Sequence, residues 1–235
     1  MKIDQYSLKA RIYPSFIVLL PILLLAVFYV TNFEIYFHYL TAFATIGLFS
    51  YLLSQIGRDL GKTKEQKLFK LWGGKPTTLI LRHSSNVLDK HTKERIHKLL
   101  SSKIDNISLP TKKEEEKNPQ KADEIYDSCT RYLISKTRDT TKYNLLFKEN
   151  TNYGFRRNLW GMKTWAILIL IVATSIHLVV ATDFFYNYSF KPNKDAYLYL
   201  GFSIIFIFWI FIVNPNWVRI VADEYAKRLY ETLED

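Results

Sequence analysis

The chain has 235 residues and a formal net charge of +10, from 32 Lys and Arg against 22 Asp and Glu. Four stretches contain no charged residue; they are 22, 23, 19 and 23 residues long and begin after Arg11, Glu34, Lys163 and Asp195. Uncharged runs of this length exclude a water-soluble single domain, because about 20 apolar residues in a helix cross a bilayer. The single cysteine, Cys129, excludes an intrachain disulfide framework.

The uncharged stretches predict four transmembrane helices, so the expected fold class is a mainly all-α integral membrane protein. The predicted spans cover about residues 13–33, 35–56, 164–182 and 196–214. They divide the chain into an N-terminal transmembrane hairpin at 1–57, a basic insert at 58–163, a C-terminal transmembrane hairpin at 164–218 and a tail at 219–235.

The distribution of Lys and Arg predicts that both termini lie in the cytoplasm. Basic residues precede the first span and follow the second, whereas the connection near residues 31–34 has none. By the positive-inside rule, the insert is cytoplasmic and the protein is a multi-pass membrane protein. A cleaved signal peptide is the alternative for the first span, although its apolar run is longer than that of a typical signal sequence.

The insert at 58–163 carries 24 Lys and Arg against 13 Asp and Glu, a local net charge of +11. Its 106 residues are enough for a small hydrophobic core, so we expect a folded, mostly helical cytoplasmic domain. Apolar residues at helical spacing predict one amphipathic helix and place Cys129 on its buried face. These residues are Ala122, Ile125, Tyr126, Cys129, Tyr132 and Leu133.

Composition assigns the other segments of the insert. We expect a shorter helix at 96–104, a helical extension of the second span at 63–72, and a helix at 143–162 that leads into the third span. Residues 76–82 have a composition that suits a strand, although so short a run does not decide between strand and helix. The polar segment 111–121 predicts a mobile loop.

Two basic motifs of the insert are candidates for anion binding. In GGKPTT at 73–78, the glycines allow backbone amides to approach a phosphate and Lys75 supplies charge, but the spacing is not that of a Walker A loop. The alternative is a helix C-cap followed by a proline that stops the helix. Arg156 and Arg157 lie beside aromatic residues before the third span. With Lys75 and Arg82 they would line a nucleotide pocket; alternatively they anchor the span at the membrane interface.

Small or ionisable residues within the predicted spans are candidates for packing or conduction. A stripe of small, weakly polar residues in the second span consists of Ala44, Gly47, Ser50 and Ser54. Such a stripe permits close helix packing, or it lines a narrow pore in a homo-oligomer. For His38 and His177, pairing across helices or interfacial exposure is favoured over proton relay. No metal site, cofactor or catalytic triad is predicted.

Three segments carry a family resemblance: GRDLGK at 57–62, LWGGKPTT at 71–78 and YGFRRNLWG at 153–161. They resemble segments of a family of small four-span prokaryotic membrane proteins without an assigned activity. Such proteins are similar to membrane effectors of bacterial anti-phage defence, which disrupt the inner membrane when a partner signals infection. The resemblance therefore implies a membrane effector and assigns no site residue.

The sequence thus predicts a non-enzymatic membrane effector. Its basic domain senses an acidic ligand or partner, and its four-helix bundles, assembled as a homo-oligomer, perturb or permeabilise the lipid bilayer. A nucleotide, a nucleic acid or an acidic protein would be the cytoplasmic partner. One alternative is a membrane-bound enzyme that clamps a phosphorylated or lipid substrate with the four basic residues named above. A scaffold that recruits a cytosolic partner is the other.

Overall fold

A computed structural model describes residues 4–29, 36–182 and 192–234, with side chains at 4–29, 47–180 and 195–234. The regular secondary structure of these segments is entirely helical, which confirms the all-α fold class. The predicted connections between the first and second spans and between the third and fourth spans lie outside the described residues.

We number the helices in chain order. They are α1 Gln5–Tyr29, α2 Tyr36–Trp72, α3 Pro76–Leu79, α4 Lys90–Lys103, α5 Lys112–Lys117, α6 Pro119–Lys136, α7 Asn144–Thr182, α8 Pro192–Ile207 and α9 Pro215–Glu231. A π-helical turn, Leu8–Ile12, lies within α1, and a second one, Phe208–Ile212, continues α8. As predicted, residues 63–72 extend a helix of the second span, and α7 begins well before the third span.

Three helices of the described chain are long and apolar enough to cross a membrane: Gln5–Tyr29, Asn144–Val180 and Asp195–Ile212. They contain most of the first predicted span and nearly all of the third and fourth. The second predicted span belongs to α2, whose side chains are described only from residue 47 onward. The helices therefore support a membrane protein, and the fourth span stays a prediction.

The chain forms two compact units. The span unit comprises Met1–Glu65 and Gly154–Val218, and the insert unit comprises Gln66–Tyr153 and Arg219–Asp235. Helices α2, α7 and α9 each contribute residues to both units. The C-terminal residues bring acidic side chains into the insert unit, which holds 21 Lys and Arg against 16 Asp and Glu and thus a net charge of +5.

The core of the insert unit is built from residues 80 and 81, which directly follow α3, and from residues of α4, α6, α7 and α9. Amphipathic helix α6 is confirmed: Ala122, Tyr126, Cys129 and Leu133 are buried in this core. Buried residues of α9 complete it, which ties the C-terminal segment to the insert. The Tyr230 hydroxyl lies 2.8 Å from Oγ1 of a buried threonine of α6, so the contact between α6 and α9 also includes a hydrogen bond.

Residues 111–121 are helical, so the prediction of a mobile loop is wrong. Thr111 and Glu114 form a capping box at the start of α5, and the Asn118 side chain caps α6. Pro119 occupies the first turn of α6, where its missing N–H is not needed. Local capping therefore stabilises a segment that lacks an apolar stripe.

The GGKPTT motif ends one helix and starts another. Gly73 and Gly74 have φ angles of 82° and 152°, and the Gly74 amide donates to the Phe69 carbonyl at 2.8 Å. This is the Schellman pattern, which confirms the C-cap interpretation. Pro76 then begins the four-residue helix α3, so residues 76–79 are helical rather than a strand.

Candidate anion-binding site

The loop at residues 83–89, between α3 and α4, is held by a buried carboxylate. One oxygen of Glu115 accepts hydrogen bonds from the His83 amide at 2.9 Å and from the Tyr126 hydroxyl at 2.8 Å. Its other oxygen lies 3.3 Å from both the amide nitrogen and the hydroxyl of Ser84. Burial raises the pKa of Glu115, but these hydrogen bonds outweigh it and lower the pKa overall.

A buried lysine holds the same loop from the other side. Lys93 of α4 is 7% exposed, and its Nζ donates to the carbonyl of His83 at 3.3 Å and to that of Ser85. Burial lowers the pKa of Lys93, and the nearby Glu115 carboxylate opposes that effect. Glu115 and Lys93 together fix the loop in one conformation, which preorganises the surface that it forms.

Two histidines complete the support of the loop. Nε2 of His83 lies 2.9 Å from the Pro110 carbonyl, and Nε2 of His97 lies 2.9 Å from the Leu81 carbonyl. Since carbonyls only accept, Nε2 carries the hydrogen in both rings. Burial lowers the pKa of His97, so this ring is neutral at pH 7.

A cavity of about 470 Å³ opens beside this loop. Its lining includes Lys90, Lys93 and Lys112, and Glu94 is the only acidic residue among the lining side chains. The three lysines and Glu94 together contribute a net charge of +2 to the lining. Ser85 and Asn86 add polar groups. Such a site suits a ligand with one or two phosphate groups, since lysine ammonium groups bind phosphate as point charges.

The predicted ligand residues Lys75 and Arg82 lie in the insert unit but do not line this cavity. Lys75 pairs with Asp127 at 2.7 Å, and the Arg82 guanidinium pairs with Asp123. Burial raises the pKa of Asp127, but its bonds to Lys75 and Arg131 lower it overall. Both predicted residues therefore hold α6 against the segment at residues 75–82.

The other two predicted ligand residues, Arg156 and Arg157, lie in the span unit. Nη1 of Arg156 donates to the Trp217 carbonyl at 2.8 Å, and its guanidinium lies 4.6 Å from the Trp217 ring centroid. Arg157 is buried and pairs with Glu65 at 2.9 Å. These contacts link helices of the span unit.

Only part of the predicted small-residue stripe of α2 packs closely. Gly47 is exposed, with space for a Cβ atom, whereas Ser50 and Ser54 are buried. Ser54 donates to the Tyr51 carbonyl at 2.6 Å. The side chain of Ala44 lies outside the described residues.

A close helix approach in the span unit joins two glycines, Gly61 and Gly161, that the sequence analysis did not single out as packing residues. A Cβ atom on Gly161 would lie 2.6 Å from the Gly61 backbone nitrogen, so α2 and α7 touch through their main chains. Gly57 and Gly61 stand four residues apart, which is the spacing that marks close helix pairs in membranes. The spacing of Gly57 and Gly61 is the sequence signal from which this close helix contact could have been predicted.

Histidine 177 is buried in the span unit, and its nearest described partner is a tyrosine. Nδ1 of His177 lies 2.7 Å from the Tyr29 hydroxyl. The side chain of His38, the other histidine of the predicted spans, lies outside the described residues. Among the side chains that the structure describes, no group of three His, Cys, Asp or Glu could hold a metal ion.

Comparison with known proteins adds no assignment: no family model, curated protein or solved structure matches this chain.

Proposed function

We propose that this protein is a non-enzymatic effector of the bacterial inner membrane whose insert unit binds a phosphate-bearing ligand. The observation that carries the proposal is the cavity beside loop 83–89, whose lining includes Lys90, Lys93 and Lys112 and one acidic residue, Glu94. Glu115 and Lys93 hold the wall of the cavity in place, so little ordering is required when an anion binds.

The membrane part of the proposal has four spans, with both termini and the insert in the cytoplasm. Three apolar helices and the surplus of Lys and Arg outside them support this topology. We propose further that the protein is a homo-oligomer and that ligand binding perturbs the bilayer in defence against phage. Helices that belong to both units, such as α2 and α7, are the elements on which this coupling depends.

Calorimetric titration with pyrophosphate tests the binding step, using the full chain in nanodiscs. Lys90→Glu and Lys112→Glu each lower the charge of the cavity lining by two units. At about 1 kcal/mol per pair of unit charges 4 Å apart in water, this change amounts to about 2 kcal/mol and should weaken binding at least tenfold. Lys98→Glu is the matched control, because Lys98 is an exposed residue of α4 outside the cavity lining.

Equal weakening by all three substitutions would show nonspecific attraction to a basic surface rather than a site. No pyrophosphate binding by the unaltered chain at millimolar concentration would also contradict the proposal. A second titration at 0.3 M salt should show weaker binding, since exposed charges are screened over about 6 Å under those conditions.

Cysteine labelling tests the proposed topology. In a Cys129→Ala background, Lys112→Cys supplies one exposed thiol in the insert unit. A membrane-impermeant maleimide should label this thiol only after the inner membrane is permeabilised. Labelling of spheroplasts with an intact membrane would place the insert outside the cell.

Dye release from proteoliposomes tests the effector step. Pyrophosphate added on the side of the insert unit should release an enclosed dye from vesicles with the unaltered chain, and Lys112→Glu should require about ten times more ligand. Vesicles that bind pyrophosphate but stay sealed would refute the effector role and leave the binding site standing.

A further inference from the structure

A buried cluster of three ionisable side chains lies in the span unit. His177, near the C-terminal end of α7, has no exposed surface. Its Nδ1 lies 2.7 Å from the Tyr29 hydroxyl of α1, and its Nε2 lies 3.9 Å from Oδ1 of Asp195 in α8. Three helices thus each contribute one member of the cluster.

Only one of the two imidazole nitrogens makes a hydrogen bond within the described part of the chain. Nε2 of His177 is buried and makes no hydrogen bond within the described part of the chain. The 3.9 Å separation from Asp195 is too long for a hydrogen bond. If Tyr29 donates its hydroxyl hydrogen to Nδ1, the ring hydrogen sits on Nε2 and faces the carboxylate. The opposite tautomer would turn a lone pair towards the carboxylate, which is repulsive.

The described surroundings of the ring supply no positive charge to balance the Asp195 carboxylate. Asp195 is 7% exposed, and the described side chains place no Lys or Arg within 4.0 Å of it. The aromatic rings of Phe28 and Tyr199 lie 5.2 Å and 4.8 Å from the imidazole centroid. Among the described side chains, the titratable groups that face His177 are Tyr29 from α1, and Asp195 and Tyr199 from α8. A neutral ring leaves one negative charge in this apolar setting.

We propose that Tyr29, His177 and Asp195 form a proton-binding site, in which proton uptake converts a neutral imidazole into an imidazolium paired with the Asp195 carboxylate. Tyr29 is 41% exposed and ends its candidate span, so it connects the buried ring to the outside. Tyr29 passes its hydroxyl proton to Nδ1 and takes a replacement from solvent. The phenol is restored, and the cluster gains one proton, which changes its net charge from −1 to zero.

Proton uptake draws α7 and α8 together. An imidazolium donates to a carboxylate at about 2.8 Å, so the gap of 3.9 Å between Nε2 and Asp195 should close. The Nδ1 hydrogen then donates to the Tyr29 hydroxyl, which reverses the direction of that bond. The site thereby links the local pH to the contact between α7 and α8.

Nitrogen NMR of ¹⁵N-histidine-labelled protein in nanodiscs tests the proposal, with the His177 signals assigned from their loss in His177→Gln. At pH 8 the ring should be neutral with its hydrogen on Nε2, and it should take up one proton as the pH falls. Asp195→Asn removes the charge but keeps the shape, so it should move the midpoint at least one pH unit lower. Asp59→Asn is the control, because Asp59 is an exposed carboxylate of the span unit.

An unchanged midpoint in Asp195→Asn would overturn the proposal, and so would a ring hydrogen on Nδ1 at pH 8. Tyr29→Phe gives an independent reading: without the hydroxyl, exchange of the His177 ring hydrogens with solvent should slow at least tenfold. Exchange at the original rate would exclude Tyr29 as the proton entry point. None of these outcomes depends on anion binding by the insert unit.

Discussion

Glu115→Gln should loosen the loop that forms the wall of the anion cavity. The carboxylate accepts from four donors, including the amides of His83 and Ser84. Glutamine has one oxygen and one amino group in place of two carboxylate oxygens, so the negative charge is lost. Its amino group, which is a donor, then faces the Ser84 amide, which is also a donor. Since hydrogen bonds to charged groups contribute about 1.5–3 kcal/mol, we expect a local free energy loss of about 2–3 kcal/mol.

Hydrogen exchange of the His83 and Ser84 amides measures this loss directly. At tenfold per 1.4 kcal/mol, the expected free energy loss makes exchange about 30 to 140 times faster. Glu116→Gln is the matched control: Glu116 is exposed and lies 3.9 Å from Lys112, so exchange should change less than threefold. A change below threefold in Glu115→Gln as well would refute the role of this carboxylate.

The remaining predictions concern pH, packing and reactivity. The pKa of Glu115 is lowered from 4.5, so its contribution to stability is fully present above pH 4.5 and is lost as the pH falls through its lower folded pKa. Hydrogen-exchange protection of the loop amides, corrected for intrinsic exchange, should therefore fall in that pH range in the unaltered chain but not in Glu115→Gln. Gly161→Ala should lower thermal stability in detergent by about 1–3 kcal/mol, because its Cβ would meet the α2 backbone, whereas Gly47→Ala should leave stability unchanged or raise it. Arg157→Met removes the buried ion-pair partner of Glu65, which keeps a contact with Lys62 at 3.6 Å, so it should cost about 2–3 kcal/mol in the same assay; a loss below about 1 kcal/mol would contradict a buried ion pair. Burial raises the pKa of the Cys129 thiol to about 11, so iodoacetamide at pH 8 should label it only in denaturant, and rapid labelling of the folded chain would contradict its burial.

Helices with an apolar repeat could be predicted from the sequence, and helices held by polar contacts could not. Helix α6 shows a repeat because one face is buried against a core. The much shorter α5 has no apolar residue; its stability depends on the capping box at Thr111 and on the contacts of Glu115 with a loop about 30 residues away. No local pattern reports a partner at that distance.

The candidate site was missed for a similar reason. Glycines next to Lys75 drew attention to that residue, but its charge is matched by Asp127, which is 52 residues away in sequence. The cavity lysines, among them Lys90 and Lys112, come from different segments that share no motif. Net charge was also a poor guide, because the insert unit excludes basic residues at both ends of the predicted insert and includes an acidic C-terminal segment.

The central claim is that anions bind in one cavity of the insert unit, and lysine footprinting tests it most directly. The folded protein in nanodiscs is treated briefly with an acetylating reagent, with and without pyrophosphate, and each lysine is quantified by mass spectrometry. The account predicts that pyrophosphate slows modification of Lys90 and Lys112 at least fivefold and leaves Lys98 unchanged. Equal rates at all three lysines with and without pyrophosphate, or protection of Lys98 to the same degree, would contradict it.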